Sequence, residues 1–370
     1  MKKILCCSPY MPDSKNVSGG IAIWTAAIYE YYKAINSDID VEIFSFTRKF
    51  IIKDNDPIWK RLPTGLYEYG NIVKKLKHRL KKNDVDAIHV CSSASISLLK
   101  DYLIIKAAHA QGVKVVIHFH FGRIPELSVK KNWEWKLIKK IISLSDVSIT
   151  MDLTSFKTLK KEGFSNVRYL PNPLSNKAIE AVKYSMDSHT KVYNRIAFVG
   201  HGYVTKGVYE LVKGIVNVPQ TSLRIVGRFT EEMRQELVGI ASERDNGTWL
   251  SFVGEIPHNE VLNELSQAEL FVFPSYTEGF PYVILEAMAT RCAIVSTGVG
   301  AIPEMLDADG DECGVIIPVK DSVAVTSEVS KLVNDREYLR TIANRAYNRV
   351  YSQYSISEVW KHLYNIWIEV

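Results

Sequence analysis

The chain has 370 residues, 46% of them hydrophobic and 24% charged, with a formal net charge of +5. That length exceeds what one hydrophobic core ordinarily serves and suits two domains. The near-balanced charge excludes a polycation that would hold nucleic acid through its field alone, so no nucleic-acid partner is expected.

The N-terminus, MKKILCCSPYMP, carries too short an apolar run for a signal peptide and reads as a first strand. Further strands are predicted at Asp40–Phe46, Ala87–Cys91, Lys114–Phe119, Val147–Thr150 and Val167–Leu170, with helices between them such as Ile21–Ile35 and Leu99–Gln111. The tetrapeptide LPTG at Leu62–Gly65 reads as a turn. Strands and amphipathic helices in alternation imply an α/β fold with parallel sheets covered on both faces. A polar, Ser-rich stretch, Pro171–Thr190, reads as a linker, and the alternation restarts after it. The second series of strands is Asn194–Gly200, Ser222–Val226, Leu250–Val253, Leu270–Phe273, Ala293–Ser296 and Gly314–Ile317. This places an N-terminal Rossmann-like domain at residues 1–175, a C-terminal one at 190–350, and a last helix at 351–370 packing back toward the first. The five cysteines, scattered and odd in number, give neither a disulfide framework nor a zinc spacing and read as reduced buried thiols in a cytoplasmic protein. No apolar run is long enough to span a bilayer.

In doubly wound sheets ligands bind outside the carboxyl ends of the strands, so those positions carry the functional reading. After the first strand, Gly19-Gly20 precedes a helix, where backbone can approach an anion; the pair is equally at home in a plain loop. His118 and His120 share one face of the strand VVIHFHFG, and His120 lies nearer its end. In FVGHGYVTKG, Lys206 stands at a glycine-rich strand-to-helix turn that lacks both the dinucleotide and the Walker patterns. Arg228 follows the strand SLRIVG, and either cation could meet phosphate or face solvent. The stretch SYTEGFPYVILEAMA then places Glu278 in a loop and Glu286 in a helix expected to start near Pro281. A helix N-terminus suits phosphate oxygens, whereas carboxylates beside it suit hydroxyls, since they only accept hydrogen bonds. An anion flanked by hydroxyl-bearing groups describes a sugar nucleotide.

Together these motifs resemble family 4 of the retaining glycosyltransferases. The E-x7-E element Glu278…Glu286 lies in a signature running from Phe271 to Leu306, and Gly19-Gly20, the HFH strand end, PNP and FVGHGYVTKG follow in family order. The resemblance implies the GT-B fold, two Rossmann-like domains facing across a cleft, and a nucleotide-diphosphate sugar (UDP- or GDP-linked) as donor. It assigns Glu278 to hydroxyls of the donor sugar, Glu286 to the ribose, Lys206 to the diphosphate leaving group and His120 to the anomeric centre. Gly279, Phe280, Pro281, Tyr282 and Val283 would cradle sugar and phosphates, although Pro281 has no N–H to give. Gly19 and Gly20 would close over the phosphates, and Ile256 would lie beside the base. Two departures from the family pattern are His201, where a cation is usual, with Arg228 a candidate to compensate, and Arg291 in place of a glycine.

The implied reaction is transfer to a hydroxyl with retention, by front-face attack with the leaving phosphate taking the acceptor proton. It needs no metal and no cofactor. The expected acceptor is a glycan or a polyprenyl-diphosphate-linked oligosaccharide, as in bacterial capsule, exopolysaccharide or O-antigen assembly. Two basic amphipathic stretches, Asn71–Lys82 with six Lys/Arg and Ser128–Ile142 with Trp133 and Trp135, suit either an anionic membrane surface on the inner face of the cell membrane or ordinary core-packed helices. The rival readings are a non-catalytic sugar-nucleotide-binding scaffold subunit and a sugar-nucleotide epimerase or phosphorylase on the same fold.

Overall fold

The structure is a computed structural model that describes residues 1–11, 19–46, 58–308 and 310–370, with side chains of the second helix described from residue 67 onward. The chain divides into two compact units: Met1–Pro173 with Ile356–Val370, and Leu174–Ser355.

Unit 1 holds a parallel sheet of β1 (Lys2–Ser8), β2 (Ile39–Ser45), β3 (Ala87–Ser92), β4 (Lys114–Phe119), β5 (Val147–Thr150) and β6 (Val167–Tyr169), in the order β2-β1-β3-β4-β5-β6. The central strands β3 and β5 are buried at every position because both faces of the sheet are covered. Leu5, Cys7, Ile88, Val90, Val115 and Ile117 point into one core with Leu76, Ile104, Trp135 and Ile138. The alternate residues Ile4, Cys6, Ala87, Cys91 and Val116 point into the other, with Trp24, Trp360, Leu363 and Trp367. The last helix, Ile356–Glu369, therefore belongs to unit 1, and Trp367 Nε1 donates to His89 Nδ1 at 2.9 Å. Leu62–Gly65 is not a turn but part of the helix Ile58–Leu80, whose buried Leu76 and Leu80 anchor it despite the local Pro and Gly.

Unit 2 repeats the plan with β7 (Val192–Val199), β8 (Ser222–Val226), β9 (Leu250–Gly254), β10 (Ala268–Phe273) and β11 (Ala293–Thr297). A two-residue pairing of β12 (Asp307–Ala308) with β13 (Asp311–Glu312) precedes the edge strand β14 (Val315–Ile317). The main sheet runs β14-β11-β10-β7-β8-β9, all parallel. Central β10 is flanked on both faces, and Leu270, Phe271, Val272 and Phe273 are all fully buried.

The stretch read as a linker is mostly structured. Asn176–Ser188 is a helix, capped by Ser175 Oγ accepting the Ala178 N–H at 3.1 Å. Buried Ala178 and Val182 hold it in unit 2, and Ser185 Oγ donates to Asn263 at 2.8 Å. Its apolar stripe is so narrow that the sequence around it looks like a polar connector. The crossings between units fall at Pro173–Leu174 and Ser355–Ile356.

Candidate functional site

In unit 2 the loops at the carboxyl ends of β7, β8, β10 and β11 are locked together by backbone approach. Lys206 closes a short 3-10 turn, Val204–Lys206, and Gly207 follows with φ +71°. A Cβ on Gly207 would lie 1.9 Å from Pro274 O, so only glycine lets the lysine turn meet the end of β10. The Tyr276 N–H donates to Thr205 O at 2.8 Å across the same contact. On the other side, the Ala301 N–H donates to Gly279 O at 2.8 Å, and Thr297 Oγ1 donates to Ser275 O.

This scaffold brings Lys206 and Glu278 together: Nζ lies 2.7 Å from Oε1, and the lysine also sits 5.3 Å from the centroid of Phe273. Both side chains are half-buried. The helix Tyr282–Ala289 starts next to Pro281, near where it was expected, with Pro281 as its N-cap in extended backbone (φ −76°, ψ 115°). Tyr282 and Val283 are then its first two residues, at the end where helical N–H groups lack intrahelical acceptors. Phe280 is buried and packs its ring 5.8 Å from that of Tyr354, which anchors the loop. Glu278 thus stands just before the helix and Glu286 on it.

His201 and Arg228 are neighbours. The Arg228 N–H approaches His201 Nδ1 at 3.3 Å, and the Gly202 N–H donates to Arg228 O at 2.8 Å. The exposed Arg228 guanidinium has no carboxylate partner among the described residues. Half-buried Ile256 follows β9, whose Gly254 O accepts from the Gly227 N–H at 2.8 Å.

One partner escaped the sequence reading. His258 Nε2 lies 2.6 Å from Glu286 Oε1, and this hydrogen bond raises the histidine above its usual range. The two are separated by 28 positions, with no local signal to pair them.

In unit 1, Gly19 is the N-cap of the helix Gly20–Ala34, with φ +87°. Residues 12–18 of that loop lie outside the described residues. His118 and His120 do share a face, with ring centroids 3.9 Å apart and Trp24 edge-on to both. They differ in kind. His118 is fully buried, and burial, reinforced by His120 and His89, pushes its pKa well down, so it is a neutral core residue. His120 is half-buried just past the strand, held by its N–H to Ser92 O at 2.9 Å.

The apolar strips of both basic stretches are core. Leu76 and Leu80 are buried and Ile72 and Val73 pack beside them, while Arg79 is fully engaged by Glu42 and Asp84. Trp135, Ile138, Ile141 and Ile142 are buried too. What remains outside is Lys74, Lys75, Lys77, Lys81 and Lys82 on one helix, and Val129 (81% exposed) with Trp133 (50% exposed) among the lysines of the other stretch.

Among the described residues no three His, Cys, Asp or Glu side chains are arranged to hold a metal ion, and no helix is long and apolar enough to cross a membrane.

Residues 187–349 match the family model of the glycosyl transferases group 1. The chain is 25% identical over 236 residues, 60% of this chain and 58% of the relative, to the capsular polysaccharide biosynthesis glycosyltransferase CapM of Staphylococcus aureus. It is 33% identical over 107 residues, 29% of this chain and 30% of the relative, to the lipopolysaccharide core biosynthesis mannosyltransferase LpsB of Rhizobium meliloti. These matches thus span less than two thirds of either relative. The crystal structure of HepE of Anabaena in complex with UDP superposes with a TM-score of 0.70 at 15% identity, covering 100% of both chains. The fold is GT-B.

Proposed function

We propose, from the match of residues 187–349 to the group 1 glycosyl transferases, that the protein is a retaining, metal-independent glycosyltransferase using a nucleotide-diphosphate sugar. The observation that carries this reading is the Lys206–Glu278 pair, 2.7 Å long, at the start of the helix that also bears Glu286. A lysine beside a helix N-terminus is equipped to stabilise charge growing on a departing diphosphate. Glu278 and Glu286 accept from sugar and ribose hydroxyls on either side. His258 engages one oxygen of Glu286 and leaves the other for the ribose. Arg228, exposed beside His201 and without a carboxylate partner among the described residues, supplies positive charge for the diphosphate. Gly19, Gly20 and His120 take the roles that the resemblance assigns them, over the phosphates and at the anomeric carbon.

The nucleophile is an acceptor hydroxyl. Its oxygen bonds to the anomeric carbon as the bond to the diphosphate breaks on the same face, and the leaving phosphate oxygen takes the proton. The acceptor is a glycan or lipid-linked oligosaccharide in surface-polysaccharide assembly, a reading supported by what CapM and LpsB are named for. UDP is the first nucleotide to test, because HepE was solved with it. Exposed Trp133 and Val129 among lysines support a peripheral contact with anionic lipid.

A thermal-shift screen of UDP- and GDP-sugars tests the donor, since a ligand of the folded state raises apparent stability. A saturable shift with one sugar nucleotide, followed by transfer with retained anomeric configuration, is expected. Tight nucleotide binding with no transfer to any acceptor mixture would leave the scaffold reading instead, and an inverted product would remove the front-face route.

A further inference from the structure

At the amino ends of β7, β10 and β11, opposite the loops of Lys206 and Glu278, unit 2 holds a cavity of ≈ 330 Å³. Arg291 and Arg340 line it together with His189, Lys191, Asn344 and Glu269. Two of its charges are already satisfied. Glu269 is bound by Arg336 and accepts the Asn194 N–H at 2.7 Å. Lys191 Nζ donates to Thr290 O at 2.7 Å, to Leu265 O at 3.2 Å and to Ala268 O, capping the ends of two helices. The two arginines are left over, with no carboxylate partner among the described residues.

Arg291 is also held against backbone preference. It sits at φ +56°, directly after the helix Tyr282–Ala289 and Thr290, a position where glycine carries no strain. Its guanidinium lies 4.1 Å from the ring centroid of Tyr347. Arg340, Asn344 and Tyr347 follow at helical spacing on Arg336–Gln353, so one face of that helix meets Arg291. Leu339 and Ala343, both buried, give the cavity an apolar floor.

We propose that this cavity binds a small, multiply charged phosphate compound, a phosphomonoester or diphosphate, between Arg291 and Arg340. Two exposed guanidinium forks lining one cavity with an apolar floor suit the planar, bidentate recognition of phosphate oxygens, and the volume lies at the small-molecule end of ligand pockets. The site is independent of the donor loops and of the reading given to them.

Thermal unfolding of the full chain, titrated with sodium pyrophosphate at ionic strength held constant with sodium chloride, tests it. Wild type and Lys206→Ala are expected to show a saturable rise in Tm, with the midpoint moved roughly tenfold or more when Arg291→Gly or Arg340→Ala is added to Lys206→Ala, a background that silences the donor loops. Arg291→Gly is expected in addition to raise Tm in phosphate-free buffer, by relieving the left-handed backbone. An unchanged midpoint in both arginine variants overturns the proposal. So does a rise lost only in Lys206→Ala, which would put the anion at the donor loops alone, and so does the lack of any saturable rise.

Discussion

Lys206 and Glu278, 72 positions apart in the chain, form an ion pair of 2.7 Å across two loops that touch only because residue 207 is glycine. A lysine has three donors and can hold Glu278 and a phosphate oxygen together, but the carboxylate still opposes the anion. Glu278→Gln should therefore bind the free nucleoside diphosphate as tightly as wild type or several-fold tighter, while losing about 100-fold in kcat. Lys206→Ala should lose both affinity and turnover. Calorimetric binding and initial rates separate the two; weaker diphosphate binding in Glu278→Gln would count against this arrangement.

Glu286→Ala should weaken nucleotide affinity about tenfold or more, the worth of a hydrogen bond to a charged group. Unchanged affinity would remove Glu286 from the ribose.

The His258–Glu286 contact predicts a pH dependence. Glu286 raises the histidine above its usual value near 6.5. The stabilisation is then complete below the unfolded value and lost as pH rises through the raised folded value. The Tm advantage of wild type over His258→Gln should be largest at about pH 6 and fade by about pH 9. A constant difference across that range would mean that the contact carries no charge.

Gly207→Ala should destabilise the chain by about 3 kcal/mol or more, since it combines positive φ with a Cβ placed 1.9 Å from Pro274 O. Urea unfolding would measure the loss. A near-neutral result would mean that the lysine turn can move away from β10.

Trp133 and Trp135 should behave as opposites. Trp135→Ala, in the core, should cost about 3–5 kcal/mol in unfolding free energy. Trp133→Ala should be nearly neutral for stability and should weaken co-sedimentation with anionic liposomes. Equal binding by wild type and Trp133→Ala would remove this patch as the lipid contact.

Most of the architecture was legible in the sequence, because fully buried parallel strands are continuous apolar runs and their ends are marked by glycine and polar residues. Leu270–Phe273 and Ala293–Ser296 are such runs, and the structure extends each by only a residue or two. The helix Asn176–Ser188 was not legible, since so few apolar residues anchor it. His118 and His120 were placed correctly on one face. Alternation could not tell that the first is core while the second is half-buried. The same alternation in AIHVCS could have found His89, which joins that cluster beside Trp24 and His118.

The sequence by itself determined two parallel α/β units and put Lys206, Arg228, Glu278 and Glu286 at strand ends and helix starts. Those placements follow from local periodicity and turn chemistry, which act over a few residues. Only the tertiary structure decided the partners: Lys206 with Glu278, His258 with Glu286, Arg291 over Tyr347, Trp135 inside and Trp133 outside. Each depends on which elements pack side by side, a property of long-range burial that no local spacing encodes.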